Sequence, residues 1–515
     1  MKQRIKSKLN KMNMKRTFTL LVLAMAIGTA FAQTVKIGST SYNSITEAIT
    51  AASDNDVIEI TGIHTESITI DKNITLRGTD PTTDIIQAAA SASSDGTGTR
   101  VINVVEGITT VSIENLGIQN GNAPDTDNGG GINADKITGL LTLRNLIIKD
   151  NFTAKNGGGV SLAGTNANII ECTITNNTSS LDGGGMIAVP NNGAAINCVV
   201  NINKSLIDSN TGRNGGGIYI NGNNDYGNDY TIDVNVENTT VSNNNATSAS
   251  GGAGGGAVWC KVAQWTTNAG GDGTSGNINL NFVHATVYNN THAALVKGGL
   301  RFTGTAGYTT NLSAHNSIIV SADDLSVKAI NFTNASLTDM VNCIIGGLEA
   351  AASANPIIDD VAKNNAKGKT ATFAGLSGTL TDEGGKVKVL ALTDGANAID
   401  YCTAATGITL PTIDARGYSR DASPDTGAYE YNGVSTDIDN IKELSINIFP
   451  NPSNDYFRVT GTDKIDKISI YSLGGTLVKS VINNTQVDVS GLTKGVYLVQ
   501  ISGENGEAIK KVVVK

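Results

Sequence analysis

Asn128-Gly129-Gly130-Gly131-Ile132 returns as Asn156-Gly157-Gly158-Gly159-Val160, Asp182-Gly183-Gly184-Gly185-Met186 and Asn214-Gly215-Gly216-Gly217-Ile218. A fifth triplet, Gly254–Gly256, follows. Each of the first four runs from an amide or carboxylate side chain into short apolar residues, such as Val160 and Leu162 or Ile218 and Ile220. The triplets start 28, 26, 32 and 39 residues apart. A period of about 20–50 residues marks a repeat architecture, in which one small unit stacks on the next. No unit carries apolar residues at helical spacing, which excludes helical solenoids.

A second register runs through the same region. Asn115, Asn145, Glu171, Asn203, Asn238, His284, His315 and Asn342 each stand three residues before an aliphatic. Those aliphatics are Ile118, Ile148, Ile174, Leu206, Val241, Val287, Ile318 and Ile345. Two residues after the first six come Asn120, Asp150, Asn176, Asp208, Asn243 and Asn289. Coils of a parallel β-helix lie about 4.8 Å apart, so equivalent side chains stack on themselves. Aliphatics then fill the inside, and asparagines at the turns form amide ladders. Glycine allows a turn with positive φ where the next coil lies close. The expected fold is therefore all-β: a right-handed parallel β-helix solenoid with a short N-terminal helical cap. A small C-terminal immunoglobulin-like β-sandwich follows it.

Composition agrees with a thin β-solenoid. Glycine supplies 59 of 515 residues and aromatics only 5%. Residues 1–32 read as a signal peptide: a basic lead, an apolar run from Leu20 to Ile27, then Ala30-Phe31-Ala32 before Gln33, with cleavage between Ala32 and Gln33. The basic lead is long enough that Met12 or Met14 is an alternative start. Without this segment, 30 Lys and Arg face 46 Asp and Glu, which argues against nucleic acid as a partner. Five cysteines without a repeated spacing make no disulfide framework. Cys172 and Cys343 read as small buried hydrophobes.

At the N-terminus, Ser44-Ile45-Thr46-Glu47 is a capping box, and Ile45, Ala48, Ile49 and Ala52 share one helical face. A short helix there covers the first edge of the solenoid. Two coils carry extra length, around Asn221–Tyr230 and Trp259–Gly276, and such length goes to loops on one face. The pattern weakens from Pro356 to Ile399. The domains expected are 1–32 signal peptide, 33–432 solenoid, 433–443 linker and 444–515 sandwich.

Pro411 to Tyr431 resembles the closing segment of pectin-lyase-like, choice-of-anchor Q bacterial surface proteins. The residues that carry this are Asp414, Arg416, Gly417, Arg420, Pro424, Asp425, Gly427, Ala428 and Glu430. The resemblance implies a closing element of the solenoid. Charge alone pairs Arg416 and Arg420 with Asp414, Asp425 or Glu430. In the tail, Phe449-Pro450-Asn451-Pro452, Ile468–Gly475, Leu492–Val499 and Lys511–Lys515 resemble the C-terminal sorting domain of the type IX secretion system of Bacteroidota. This resemblance implies recognition by the type IX machinery and export across the outer membrane. It also implies removal of the tail near the linker and attachment to surface lipopolysaccharide.

Chemistry is sparse by comparison. Catalysis along a β-helix needs a base and a charge-neutralising cation. The acid–base candidates are His284 and His315, read as one column, and Asp150 and Asp208, read as another. Each has a structural alternative, ladder or turn chemistry. Tyr219, Tyr226, Tyr230, Trp259 and Trp265 either stack on sugar rings or pack the long loops. The loop around Asn223, Asp225 and Asp229 offers Ca²⁺ oxygen ligands without ordered ligand spacing, so no metal site is assigned. The expected function is a non-catalytic adhesin or a rod that binds a polysaccharide or a host surface. The alternative is a polysaccharide lyase or glycoside hydrolase.

Overall fold

The computed structural model describes residues 33–190, 197–222, 230–249, 254–262, 276–293, 298–305, 308–349, 352, 355–403, 409–436, 446–461, 465–472, 477–482, 484–503 and 506–515. Contacts divide the chain after Val434 into two compact units. The first is a right-handed parallel β-helix. One coil shows the plan. Leu140–Arg144 lies in the first sheet, Ile147–Lys149 in the second, Phe152–Thr153 in the third and Val160–Ala163 in the fourth. Asn166–Ile170 then returns to the first sheet, paired in parallel with Leu140–Arg144. Among the described residues, the four sheets contain twelve, ten, six and ten strands.

The interior consists of apolar columns. Ile118, Ile148, Ile174, Ile207, Val241, Val287, Ile319 and Ile345 pair in register and point inward along the second sheet. Leu206 and Ile318, expected in this column, lie one place earlier. The turn column before it is shifted likewise. Its positive-φ residues are Asn115, Asn145, Glu171, Lys204, Asn238, His284, Asn316 and Asn342. Lys204 and Asn316 replace the expected Asn203 and His315. The turn requires a left-handed backbone, which Lys204 adopts in one coil although an asparagine precedes it, and which Asn316 adopts one place after His315 in another.

The second turn column is Asn120, Asp150, Asn176, Ser209, Asn243 and Asn289. Asp208 therefore does not share it with Asp150; it pairs with Thr175 and Ser242 on the second sheet. The residue after this turn points inward and forms a ladder that sequence reading missed. Asn151, Asn177, Asn210, Asn244 and Asn290 are all buried. Each Nδ2 of the first four donates to the next Oδ1 at 2.9–3.0 Å and to a carbonyl of the preceding coil. The glycine triplets lie against this ladder. A Cβ on Gly159 would come within 2.6 Å of the Gly185 carbonyl oxygen and 3.0 Å of Asn177 Nδ2. Only glycine fits there without displacing backbone.

The helix Ile45–Ala51 (α1) caps the first coil and buries Ile45, Ala48 and Ile49. Ser44 Oγ accepts from Glu47 N at 3.0 Å, and Glu47 Oε2 accepts from Asn43 N at 2.9 Å. At the other end Ile358, on the short helix Pro356–Asp359, closes the core. The segments after it, 371–403 and 409–431, take a different course. They lie on the flank, against the outer surface of the second sheet, where Ile318, Val320 and Ile344 pack with Ala371, Ala374, Leu392 and Ala398.

The second unit is a two-sheet antiparallel sandwich. Ile446–Phe449, Tyr456–Gly461 and Gln486–Asp488 form three strands of one sheet. Ile465–Ser472, Leu477–Ile482, Gly495–Gly503 and Gly506–Val514 form the other. Phe457, Val459, Ile468, Ile470, Val499 and Ile501 fill its core. On Gly495–Gly503 the inward set is Tyr497, Val499 and Ile501, while Val496 and Leu498 face solvent.

Candidate functional site

Two polar regions stand out on the first unit. The first follows the outer surface of the fourth sheet. Register stacks Asn103, Asn133, Ser161, Ile187, Tyr219, Trp259, Arg301 and Asn331 in one outward column. Tyr219 and Trp259 rings lie 5.3 Å apart at 47°. Lys261 Nζ and the Arg301 guanidinium carbon lie 5.4 and 5.9 Å from the Trp259 ring centre. Trp259 Nε1 donates to Thr303 Oγ1 at 3.2 Å, and Arg301 Nη1 to Asn331 Oδ1 at 3.0 Å. Burial lowers the Arg301 pKa from its ordinary value, and Glu349 partly offsets that. The chain between the fourth sheet and the next strand of the first is two residues in one coil, 164–165. It spans 190–197, 222–229, 262–275 and 304–307 in later ones. Extra length thus recurs at the same step of successive coils.

The sugar-stacking candidates divide accordingly. Tyr219 and Trp259 are only 3% and 5% exposed, so their rings serve packing. A left-handed glycine of each turn folds over this column: a Cβ on Gly255, the second of its triplet, would come within 2.8 Å of Trp259 Cβ. Tyr230 lies in the core; its hydroxyl donates to the Gly222 carbonyl, and its ring is 6.4 Å from that of Tyr308. Tyr226, Trp265, the Asn223–Asp229 loop and Ala32 lie outside the described residues, whereas Gln33 is exposed.

The second region is the flank segment and the turn column beneath it. Asp414, wholly buried, holds Arg416 through Nε at 2.8 Å and Nη2 at 2.7 Å. It also accepts from the backbone N–H of Arg416, Tyr418 and Glu430. The Arg416 guanidinium lies between the rings of Tyr418 and Tyr429, at 4.2 and 3.9 Å. Arg420 pairs with Glu430 at 3.0 Å and reaches back to Asn238 Oδ1, also at 3.0 Å. Asp425 has no arginine of its own; it accepts from the N–H groups of Asp400 and Tyr431, and burial pushes its carboxyl up to about 6. Gly427 N donates to Asn316 O, and Ala428 N to Thr286 Oγ1.

This arrangement covers His284. Its Nε2 accepts from Asn316 Nδ2 at 2.9 Å, which leaves the proton of the neutral ring on Nδ1. Burial, reinforced by Arg420, holds the imidazole well below its ordinary pKa. His315 does not stack on it. His315 sits opposite Val283 on the first sheet and bonds Asp339 Oδ2 at 3.0 Å; Lys363 holds the other oxygen at 2.9 Å. Asp150 lies on a turn 3.8 Å from Lys149 Nζ, in a surface cleft with Ser93 and Asn176. Asp208 accepts from Ser242 Oγ, Asn243 Nδ2 and Ser209 Oγ. The four acid–base candidates therefore occupy four separate surroundings. Among the described residues, no three His, Cys, Asp or Glu side chains converge on a metal position. All five cysteines are free and buried, and burial raises the Cys172 thiol to about 12.

No curated protein matches the chain in a sequence comparison. Residues 447–515, which make up nearly all of the second unit, match the family described as the secretion system C-terminal sorting domain. The chain carries a type IX sorting tail and is exported to the cell surface or the extracellular space.

Proposed function

We propose that this exported β-helix is a non-catalytic binding rod, an adhesin for a glycan or a host surface. The observation that carries this reading is the separation of the acid–base candidates. His284 is buried beneath Arg420 and Asp425, His315 is tied to Asp339, and Asp150 and Asp208 lie in different columns. A hydrolase or lyase needs two such groups facing one bond. The recurrence of extra chain length directly after the strands that carry Tyr219, Trp259 and Arg301 supports a binding role for that side of the rod. In the same reading, residues 1–32 are removed on export, the tail is cleaved within 433–443, and lipopolysaccharide or the outer surface holds the rod. The resemblance of 411–431 to choice-of-anchor Q proteins is consistent with this.

The test uses the chain without residues 1–32, with acidic and neutral polysaccharides, in the presence and absence of Ca²⁺. Binding without new reducing ends or unsaturated products is expected. Turnover that is lost in His315→Ala or Asp208→Asn would replace this reading with the lyase or hydrolase one.

A further inference from the structure

The outer surface of the first sheet carries a regular polar array in the three coils where its strands reach eight residues, Tyr230–Glu237, Gly276–Val283 and Tyr308–His315. The middle strand presents Asn277, Asn279 and Asn281 outward, alternating with buried Ile278, Leu280 and Phe282. Each of these amides is fixed by the neighbouring coils. Asn281 Nδ2 donates to Asn235 Oδ1 at 2.9 Å. Asn279 Nδ2 donates to Asp233 Oδ1 at 2.7 Å, and its Oδ1 accepts from Asn311 Nδ2 at 2.8 Å. Asn277 Oδ1 accepts from Thr309 Oγ1. With Thr231 and Ser313 at the remaining register positions, the result is three rows of three short polar side chains. Rows are about 4.8 Å apart and positions within a row roughly 6.6 Å apart.

We infer that this grid is a contact surface for an uncharged polysaccharide; the inference rests on the binding-rod reading above and names its surface and ligand class. Three properties of the grid lead there. Asn235 and Asn279 each use one N–H and one lone pair in the ladder and keep one of each for a ligand, which suits hydroxyl groups that both donate and accept. The ladders lock the side chains before binding, so little freedom is lost on contact. Charge selects the polymer: Asp233 is the grid's one ionisable residue and Glu237 stands at its border, so an acidic polymer is repelled. Protein interfaces centre on aromatic and arginine anchors, and this grid has none.

The test uses the chain without residues 1–32 and measures depletion by microcrystalline cellulose, chitin and an insoluble β-glucan, with polygalacturonate as the acidic comparison. The wild-type chain is expected to bind at least one uncharged polymer in preference to polygalacturonate. The double substitution Asn279→Val and Asn281→Val should weaken that binding about tenfold, the effect of losing a few hydrogen bonds. Thr142→Val with Asn168→Val removes polar groups from the narrower part of the same face, away from the grid, and should leave binding unchanged. Unfolding midpoints of the two variants should agree. Equal weakening in both variants, undiminished binding in the grid variant, or preference for polygalacturonate overturns the grid proposal while the binding-rod reading stands. Failure of the wild-type chain to bind any polysaccharide removes the glycan reading and the grid together.

Discussion

Two asparagine ladders run along this rod with nearly the same geometry and very different surroundings. The inner one, from Asn151 to Asn290, is buried. Asn177 there donates to Ile148 O and Asn210 Oδ1, and accepts from Asn151 N and Asn151 Nδ2. The outer one, from Asn168 to Asn281, faces solvent. Asn201 donates to Asn168 Oδ1 at 2.9 Å and accepts from Asn235 Nδ2 at 2.9 Å. Bond lengths do not separate them. The fate of an abandoned partner does: water replaces a lost bond outside, and nothing replaces it inside. The inner ladder therefore holds the coils together, while the outer one mainly fixes a surface.

That contrast ranks substitutions. The greatest loss is expected where the buried partner is charged. Arg420→Ala leaves buried Glu430 without its cation and Asn238 Oδ1 without its donor, and should destabilise by about 3–5 kcal/mol. An unchanged urea midpoint would mean that the flank segment does not support the coils. Asn177→Ala strands several buried groups at once and should cost about 2–3 kcal/mol. Hydrogen exchange should report that loss at Asn151 and Asn210 first, because each coil leans on its neighbours.

A pH effect of intermediate size follows from the flank. Unfolded, the His284 imidazole titrates near 6.5; folded, it stays neutral well below that value. The unfolded chain thus binds more protons as pH falls below about 6.5, and stability is lost in that direction. Asp425 acts with the opposite sign. Its folded carboxyl keeps a proton up to about 6, against an ordinary value of 3.8, so its contribution is full at low pH and is lost as pH rises through that window. His284→Asn should flatten the acid limb of a midpoint-against-pH curve, and Asp425→Asn should steepen the net acid loss. A His284→Asn curve parallel to wild type would reject the buried-neutral assignment. The smallest effect belongs to the outer ladder: Asn201→Ala should cost no more than about 1 kcal/mol. A loss as large as that of Asn177→Ala would erase the distinction between the two ladders.

The glycine triplets made the fold legible, because close stacking of turns permits no other residue there. The sandwich was legible from strand alternation and its short motifs. Position within a coil was harder. The left-handed turn accepts Lys204, Ser209, Glu171 and His284 as well as asparagine. Matching by residue type therefore slipped one place at Asn203, Asp208 and His315. The inner ladder was written in the pairs Asn176-Asn177, Asn243-Asn244 and Asn289-Asn290, where the first residue turns the chain and the second points in. The flank segment was not legible: its decisive contact joins Arg420 to Asn238, and no local pattern announces a partner that far back. The aromatic residues left stacking and packing open for a related reason, since burial of Tyr219 and Trp259 comes from neighbouring turns rather than from their own strands.

The flank segment also has a mechanical consequence. Tension applied through the chain beyond Val434 enters 411–431 before it reaches any coil. That segment is fastened at Asn238, Thr286, Asn316 and Asn342, four successive coils of the rod. A pull is thereby shared among several attachment points in shear, instead of peeling the last coil away one bond at a time. For a protein delivered to the cell exterior, such a clasp lets a drag force act on the rod without unravelling it from its loaded end.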